Sequence, residues 1–247
     1  MGWVTTTSVL LLGFIVGKIA QLTQSKTLLT VSTKLRYLAE YILCYSIYFL
    51  LWAQRPWLKI EENFHAIYPF YEKYKTRKIM FVANHRSNLD TFILISRIPG
   101  LRGMAKKSLF YNVFFAPSMY LMGFVPVEKG SVAGFLQGIH LLKEKILEKN
   151  NPALVFPETT RCRKNNPGIN KWSDAVFQAA IQSESLLVPI LIQNTDQSMG
   201  KGDLFVHPGH TAKLKLYDPI EAKTYSSARD LSQQVYQFLL DQNRMSV

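Results

Sequence analysis

The sequence predicts an α/β fold: a mostly parallel central sheet flanked by helices, with an N-terminal two-helix membrane-associated segment. Three observations predict it. From about residue 65 onward, short apolar runs alternate with amphipathic ones, the pattern of strands and helices taking turns. Before that point lie two uncharged, largely apolar runs, the second rich in aromatics, unlike anything downstream. Polar clusters carrying His, Asp, Glu and Arg stand directly after apolar strands, where open α/β sheets gather their chemistry. The division this implies is an attachment segment, residues 1–60, and an α/β domain, residues 61–247.

The attachment segment comes first. Residues 1–17 hold no charge, and Lys18 ends the run; residues 41–54 are again uncharged, between Glu40 and Arg55-Pro56. Both fall short of the roughly 20 apolar residues of a spanning helix. No positive stretch precedes the first run, so a cleavable signal peptide fits poorly. A helical hairpin dipping into one leaflet, a span through the first run, and packed core helices all remain open. Lys18, Lys26, Lys34, Arg36, Arg55 and Lys59 against the lone Glu40 favour monotopic or peripheral seating on an anionic membrane surface, at the cytoplasmic face.

The later elements follow in order. Residues 78–83 read as a buried strand and 89–97 as a packed helix; 101–105 read as a short strand, 108–122 as a mixed aromatic helical region, 124–127 as a strand. Residues 131–149 form an amphipathic helix with Ser131 as N-cap, and Val132, Phe135, Leu136, Ile139, Leu142 and Ile146 on one face. A strand at 153–156, a helix at 173–182, and a strand at 186–192 interrupted by Pro189 come next. An alternating edge strand at 211–217 and a closing helix at 228–240 complete the chain.

Composition narrows the partners. The chain has 247 residues, 48% hydrophobic, and a net charge of +12. That balance suits nucleic acid, an acidic membrane or phosphorylated substrates. With no zinc-finger spacing, RNP-like motif or basic recognition helix, no nucleic acid is expected. Cys44 and Cys162 are far apart in unlike settings, which predicts two free thiols.

Asn84-His85-Arg86-Ser87-Asn88-Leu89-Asp90 is the most informative stretch. At a strand-to-helix junction, His85 and Asp90 can fold onto each other, the carboxylate fixing the tautomer of an imidazole that takes a proton from a hydroxyl. The spacing alone leaves open a His and an Asp that merely satisfy loop backbone groups. Phe156-Pro157-Glu158-Thr159-Thr160-Arg161 again follows an apolar strand; Arg161 there is either a bidentate phosphate holder or a solvated loop cation. Lys106 and Lys107 form a basic pair after another strand.

Taken together, these blocks resemble the PlsC-type glycerolipid acyltransferases of the lysophosphatidic acid acyltransferase superfamily. Residues 84–90 match the family's N-H-x4-D block, 156–161 its F-P-E-G-T-R block, and 188–190 its V-P-[IV] block; Gly123 through Lys129 correspond to its second block. The likeness covers about residues 75–195. Three departures stand out: Thr159 replaces the usual Gly, so the loop is expected to lose a left-handed conformation or a close backbone approach; Lys129 replaces the usual Arg; and Lys171-Trp172-Ser173-Asp174 stands where a basic, Gly-containing stretch is usual.

The resemblance implies transfer of an acyl chain from acyl-CoA or acyl-carrier protein to a lysophospholipid acceptor, lysophosphatidic acid first, without cofactor, metal or covalent nucleophile. His85 would act as base, with Asp90 holding its ring and backbone amides near the helix start as oxyanion donors. Arg161, with Lys106 or Lys107, would clamp the acceptor phosphate. Glu158 would order that loop or bind an acceptor hydroxyl, the alternative being a purely structural partner of Arg161. Cys162 reads as a bystander, and His207-Pro208-Gly209-His210 as a turn. Another lysolipid acceptor, such as lyso-phosphatidylglycerol or a lyso-aminolipid, and a non-catalytic membrane lipid-binding protein are the alternatives.

Overall fold

A computed structural model describes residues 15, 19, 23, 25–54, 56–74, 76–98, 100–112, 116–128, 130–162, 168–203 and 205–245. In chain order these form α1 (Lys26–Ala53), β1 (Lys59–Glu62), α2 (Ile67–Tyr74), β2 (Ile79–Ala83), α3 (Asn88–Arg97) and β3 (Arg102–Lys106). Next come α4 (Ala116–Met122), β4 (Val125–Val127), α5 (Val132–Lys145), β5 (Ala153–Val155), α6 (Ala175–Gln182) and β6 (Leu186–Gln193). The short α7 (Thr195–Ser198), then β7 (Thr211–Leu216), β8 (Ile220–Glu221) and α8 (Ala228–Met245) complete the order.

The strands make one sheet in the order β1-β7-β6-β2-β5-β3-β4, with β8 also pairing β6. Pairings are parallel except those of β6 with β7 and β8. This is the expected mostly parallel sheet. The central strand β2 is buried throughout, and its side chains alternate between two cores. Ile79, Phe81 and Ala83 face the core under α1 and α3. Met80 and Val82 face the core under α5, α6 and α8. Because β2, β3, β5 and β6 run parallel, their following loops emerge along one edge, and each sequence block singled out above lies in or near one of those loops or strands.

The N-terminal segment differs from expectation in three ways. First, α1 begins well ahead of the second uncharged run: Ser25 caps it, its hydroxyl accepting from Leu28 N at 3.3 Å. Ala39, Leu43, Cys44, Ile47 and Leu51 are buried in the core shared with α3, so this helix is built into the domain. Its outward face carries exposed Leu38, Tyr41, Tyr45, Phe49 and Trp52 at helical spacing. Among the described residues no helix is long and apolar enough to cross a membrane. The first run, residues 1–17, lies outside the described residues apart from Ile15. Second, Glu40 is no boundary marker; it is buried and paired with Arg102 at 2.5 Å, tying α1 to the start of β3. Third, β1 straddles residue 60 and pairs in parallel with β7. As a result β7 is an interior strand, and the short, half-exposed β1 is the edge.

Pro189 does not interrupt β6, which runs unbroken and pairs Val82 with Pro189. A proline lacks the donor a central strand normally needs. Here its carbonyl accepts from Tyr217 N at 3.0 Å, so its nitrogen faces the gap where β6 exchanges partners. There β8 pairs residues 186–187 and β7 pairs 190–193, leaving no ladder bond for the missing N–H to break.

The stripe on α5 is buried only in part. Ile139, Leu142 and Ile146 are in the core, but Val132 and Leu136 are exposed. Gly138 explains the tilt of the contact face: a Cβ there would sit 2.6 Å from Val127 Cγ2 and 2.9 Å from Met104 Sδ. The helix meets the sheet at that glycine and lifts away toward its N-terminus.

Candidate active site

Ser87 ends the extended loop after β2 and caps α3. Its hydroxyl accepts from Leu89 N at 3.1 Å and donates to the carbonyl of Met199. Asp90, at the third helical position, closes the capping box by accepting from Ser87 N at 2.8 Å. The same Oδ2 accepts from Arg86 N at 2.7 Å and lies 2.9 Å from His85 Nδ1. The helix cap thus brings the two predicted residues together. Asp90 is wholly buried, while the His85 side chain keeps 18% exposure. With Nδ1–H donated to the carboxylate, Nε2 carries the lone pair and is the basic atom. Asn84 anchors the loop to β6 from the other side, donating to Ile192 O at 2.8 Å and accepting from Ile192 N at 2.7 Å.

Glu158, after β5, is buried and clasps this loop. Its Oε1 accepts from His85 N at 2.9 Å; its Oε2 accepts from Asn170 N at 3.2 Å and from the Cys162 thiol at 3.3 Å. Burial pushes its carboxyl above the ordinary value, and those donors pull the other way. Both oxygens are thus engaged by the protein, and Glu158 ties its own loop to that of His85. Cys162 has a structural part here: its thiol donates to Glu158 and its amide donates to His85 O at 2.8 Å. Burial pushes both this thiol and that of Cys44 up to about 12, so neither is a nucleophile. Both are free and buried.

Phe156 stacks on the His85 ring, centroids 4.0 Å apart. It also lines a small crevice between α3 and the sheet, with Thr91, Ile95, Arg102, Met104 and Leu154.

Arg161 is half-buried at the same edge, and its Nη1 is buried without a hydrogen-bond partner. Lys106 and Lys107 are exposed at the end of β3, one strand further from His85 than β5. Their ammonium groups make no ion pair among the described residues. Lys129 lies outside the described residues. Thr159 departs from expectation: it keeps the left-handed backbone at φ 58°, where a β-branched side chain is strained. The expected oxyanion donors also change. The amides of His85, Arg86, Ser87 and Leu89 are already engaged by Glu158, Asp90 and the Ser87 hydroxyl.

Sequence reasoning missed the contribution from the end of β6. Thr195 and Asp196 are buried; Thr195 Oγ1 donates to Asp90 Oδ1 at 2.6 Å, and Asp196 takes Arg86 Nε and Nη2 at 2.6 and 3.2 Å. Residues 194–198, a polar run directly after an apolar strand, carried the same signal as the other blocks.

Comparison with known proteins places the sequence and the fold. Residues 60–193 match the family model described as Acyltransferase. A 1-acyl-sn-glycerol-3-phosphate acyltransferase of Cocos nucifera is 21% identical over 158 residues, 64% of this chain and 50% of that protein. One from Saccharomyces cerevisiae is 29% identical over 126 residues, 50% of this chain and 41% of that one. The chain thus spans about half the length of these curated relatives, or less. The crystal structure of the 1-acyl-sn-glycerophosphate acyltransferase PlsC from Thermotoga maritima shares the fold. Its TM-score is 0.65 at 18% identity, covering 99% of this chain and 97% of that one.

Proposed function

The chain belongs to the acyltransferase family, and from that premise we propose that it transfers a fatty acyl chain from an acyl thioester, acyl-CoA or acyl-carrier protein, to the free hydroxyl of lysophosphatidic acid, making phosphatidic acid. The observation that carries this reading is the His85–Asp90 pair, 2.9 Å apart, with Asp90 wholly buried and the imidazole reachable from solvent.

In the reaction, neutral His85 takes the acceptor hydroxyl proton at Nε2 as that oxygen attacks the thioester carbonyl. Asp90 holds the ring and steadies the imidazolium. Collapse of the tetrahedral intermediate breaks the C–S bond, and the imidazolium returns the proton to the departing thiolate. The partnerless Arg161 Nη1 is suited to an anionic oxygen of the acceptor phosphate, with Lys106 and Lys107 adding positive charge from the neighbouring strand. The aromatic outer face of α1 supports monotopic seating at the membrane where such substrates reside.

The test is a thioester-dependent acylation assay on liposomes over a panel of lysolipids, with both donor types. Lysophosphatidic acid should be the preferred acceptor. His85→Ala should lose about two to four orders of magnitude in rate with an unchanged circular dichroism spectrum. Near-normal turnover in that variant sinks the mechanism; preference for an uncharged acceptor sinks the phosphate assignment.

A further inference from the structure

A carboxylate that orients a catalytic imidazole must itself be held, because the terminal torsion of an aspartate is broad. In Asp90 the two oxygens are held by different parts of the chain. Oδ2 takes Arg86 N, Ser87 N and His85 Nδ1, all from its own loop. Oδ1 takes Thr195 Oγ1 at 2.6 Å, from 105 residues away. Among the described residues Thr195 is its sole donor, and Asp90 has no exposure through which water could substitute. An anionic oxygen left bare there would be costly, and rotation of the carboxylate to relieve it would carry Oδ2 off His85.

The chain is shaped to deliver that hydroxyl. Asn194, directly after β6, is left-handed at φ 62°, a conformation asparagine tolerates well, and it turns the buried Thr195 back toward α3. The neighbouring Asp196 pairs with Arg86, and Ser87 donates to Met199 O. With Ile192 holding Asn84, the chain therefore grips the His85–Asp90 loop both before and after Thr195.

We propose that Thr195 is a positioning residue for proton transfer: its hydroxyl holds Asp90 in the orientation that presents Oδ2 to His85. The proposal rests on the acyl-transfer reading for its kinetic consequence, and on geometry alone for its spectroscopic one. Thr195→Val removes the donor at nearly constant volume. It should lower kcat by about 10- to 100-fold, the worth of a hydrogen bond to a charged group, with both KM values within about 2-fold of the parent. Thr195→Ser should restore most of the rate. In an Asp90→Asn background, Thr195→Val should add little further loss, because the group it positions has already been changed.

The second measurement needs no substrate. With histidine labelled by nitrogen-15, the His85 Nδ1–H resonance, assigned by its absence in His85→Ala, should move or broaden in Thr195→Val and return in Thr195→Ser. Parent-level turnover in Thr195→Val, an equal loss in Thr195→Ser, a full additional loss beside Asp90→Asn, or an unmoved resonance each overturns the proposal. If the parent transfers no acyl group but the resonance responds as stated, the functional reading falls and the positioning role stands.

Discussion

Arg161 and Thr159 stand within two residues of each other and make opposite demands on their loop. Arg161→Lys keeps the charge but loses the planar fork, and one charge-assisted hydrogen bond is worth about 1.5–3 kcal/mol. Acceptor kcat/KM should therefore fall about 10- to 150-fold with the donor KM nearly unchanged; an unchanged acceptor KM would remove Arg161 from the phosphate site. Thr159 holds φ 58° at an exposed position, where a side chain costs about 1–2 kcal/mol and glycine costs only chain entropy. Thr159→Gly should raise stability by up to about 1 kcal/mol, read as a melting temperature some 2–4 °C higher. No gain would mean the loop relaxes to suit the threonine. At this scale the sequence exposed His85, Asp90, Glu158 and Arg161 because each lies in a compact block. The partners of Thr195, Asp196, Phe156 and Cys162 were not readable, because contact across strand ends leaves no spacing to read, even where the residue itself lies in a polar block.

Among elements, strands and helices with a clean period were readable; those whose identity depends on a distant partner were not. Lys59–Glu62 is short and charged, and becomes a strand only because β7 lies beside it. The polar start of α1 resembles a linker, yet it is helical because Ser25 caps it and the buried side chains of its later turns dock on α3 and the core. The other face of α1 supports a physical test of membrane seating. Replacing Tyr45, Phe49 and Trp52 together by serine removes exposed apolar surface without touching the core face. Sedimentation with liposomes should weaken strongly, and high salt should fail to release the parent, because apolar burial outweighs charge. Complete release of the parent by salt would transfer the anchoring role to the basic surface.

Across the whole molecule, buried acids set an alkaline limit. Cys44 and Cys162 stay protonated up to about 12 when folded, whereas an unfolded thiol ionises near about 8.5. The unfolded state loses its protons first, so this contribution is intact below that value and stability declines as pH rises toward 12. Burial raises the Tyr71 hydroxyl as well, with the same sign. The urea midpoint should drop between about pH 8 and about pH 10, and the Cys44→Ala/Cys162→Ala double variant should show a shallower drop. Equal slopes would place the alkaline sensitivity elsewhere. The clasp around the His85–Asp90 loop sets another whole-chain property, the order of assembly. His85 and Asp90 are five residues apart, but the groups that hold them come from 73 and 105 residues downstream, and the partner of the intervening Arg86 from 110. Closing loops of that length is slow compared with forming a helix. During synthesis the motif emerges early and stays unassembled until β6 and the turn after it have been made and docked, so completion of the His85–Asp90 geometry is a late event of folding and reports on completion of the sheet.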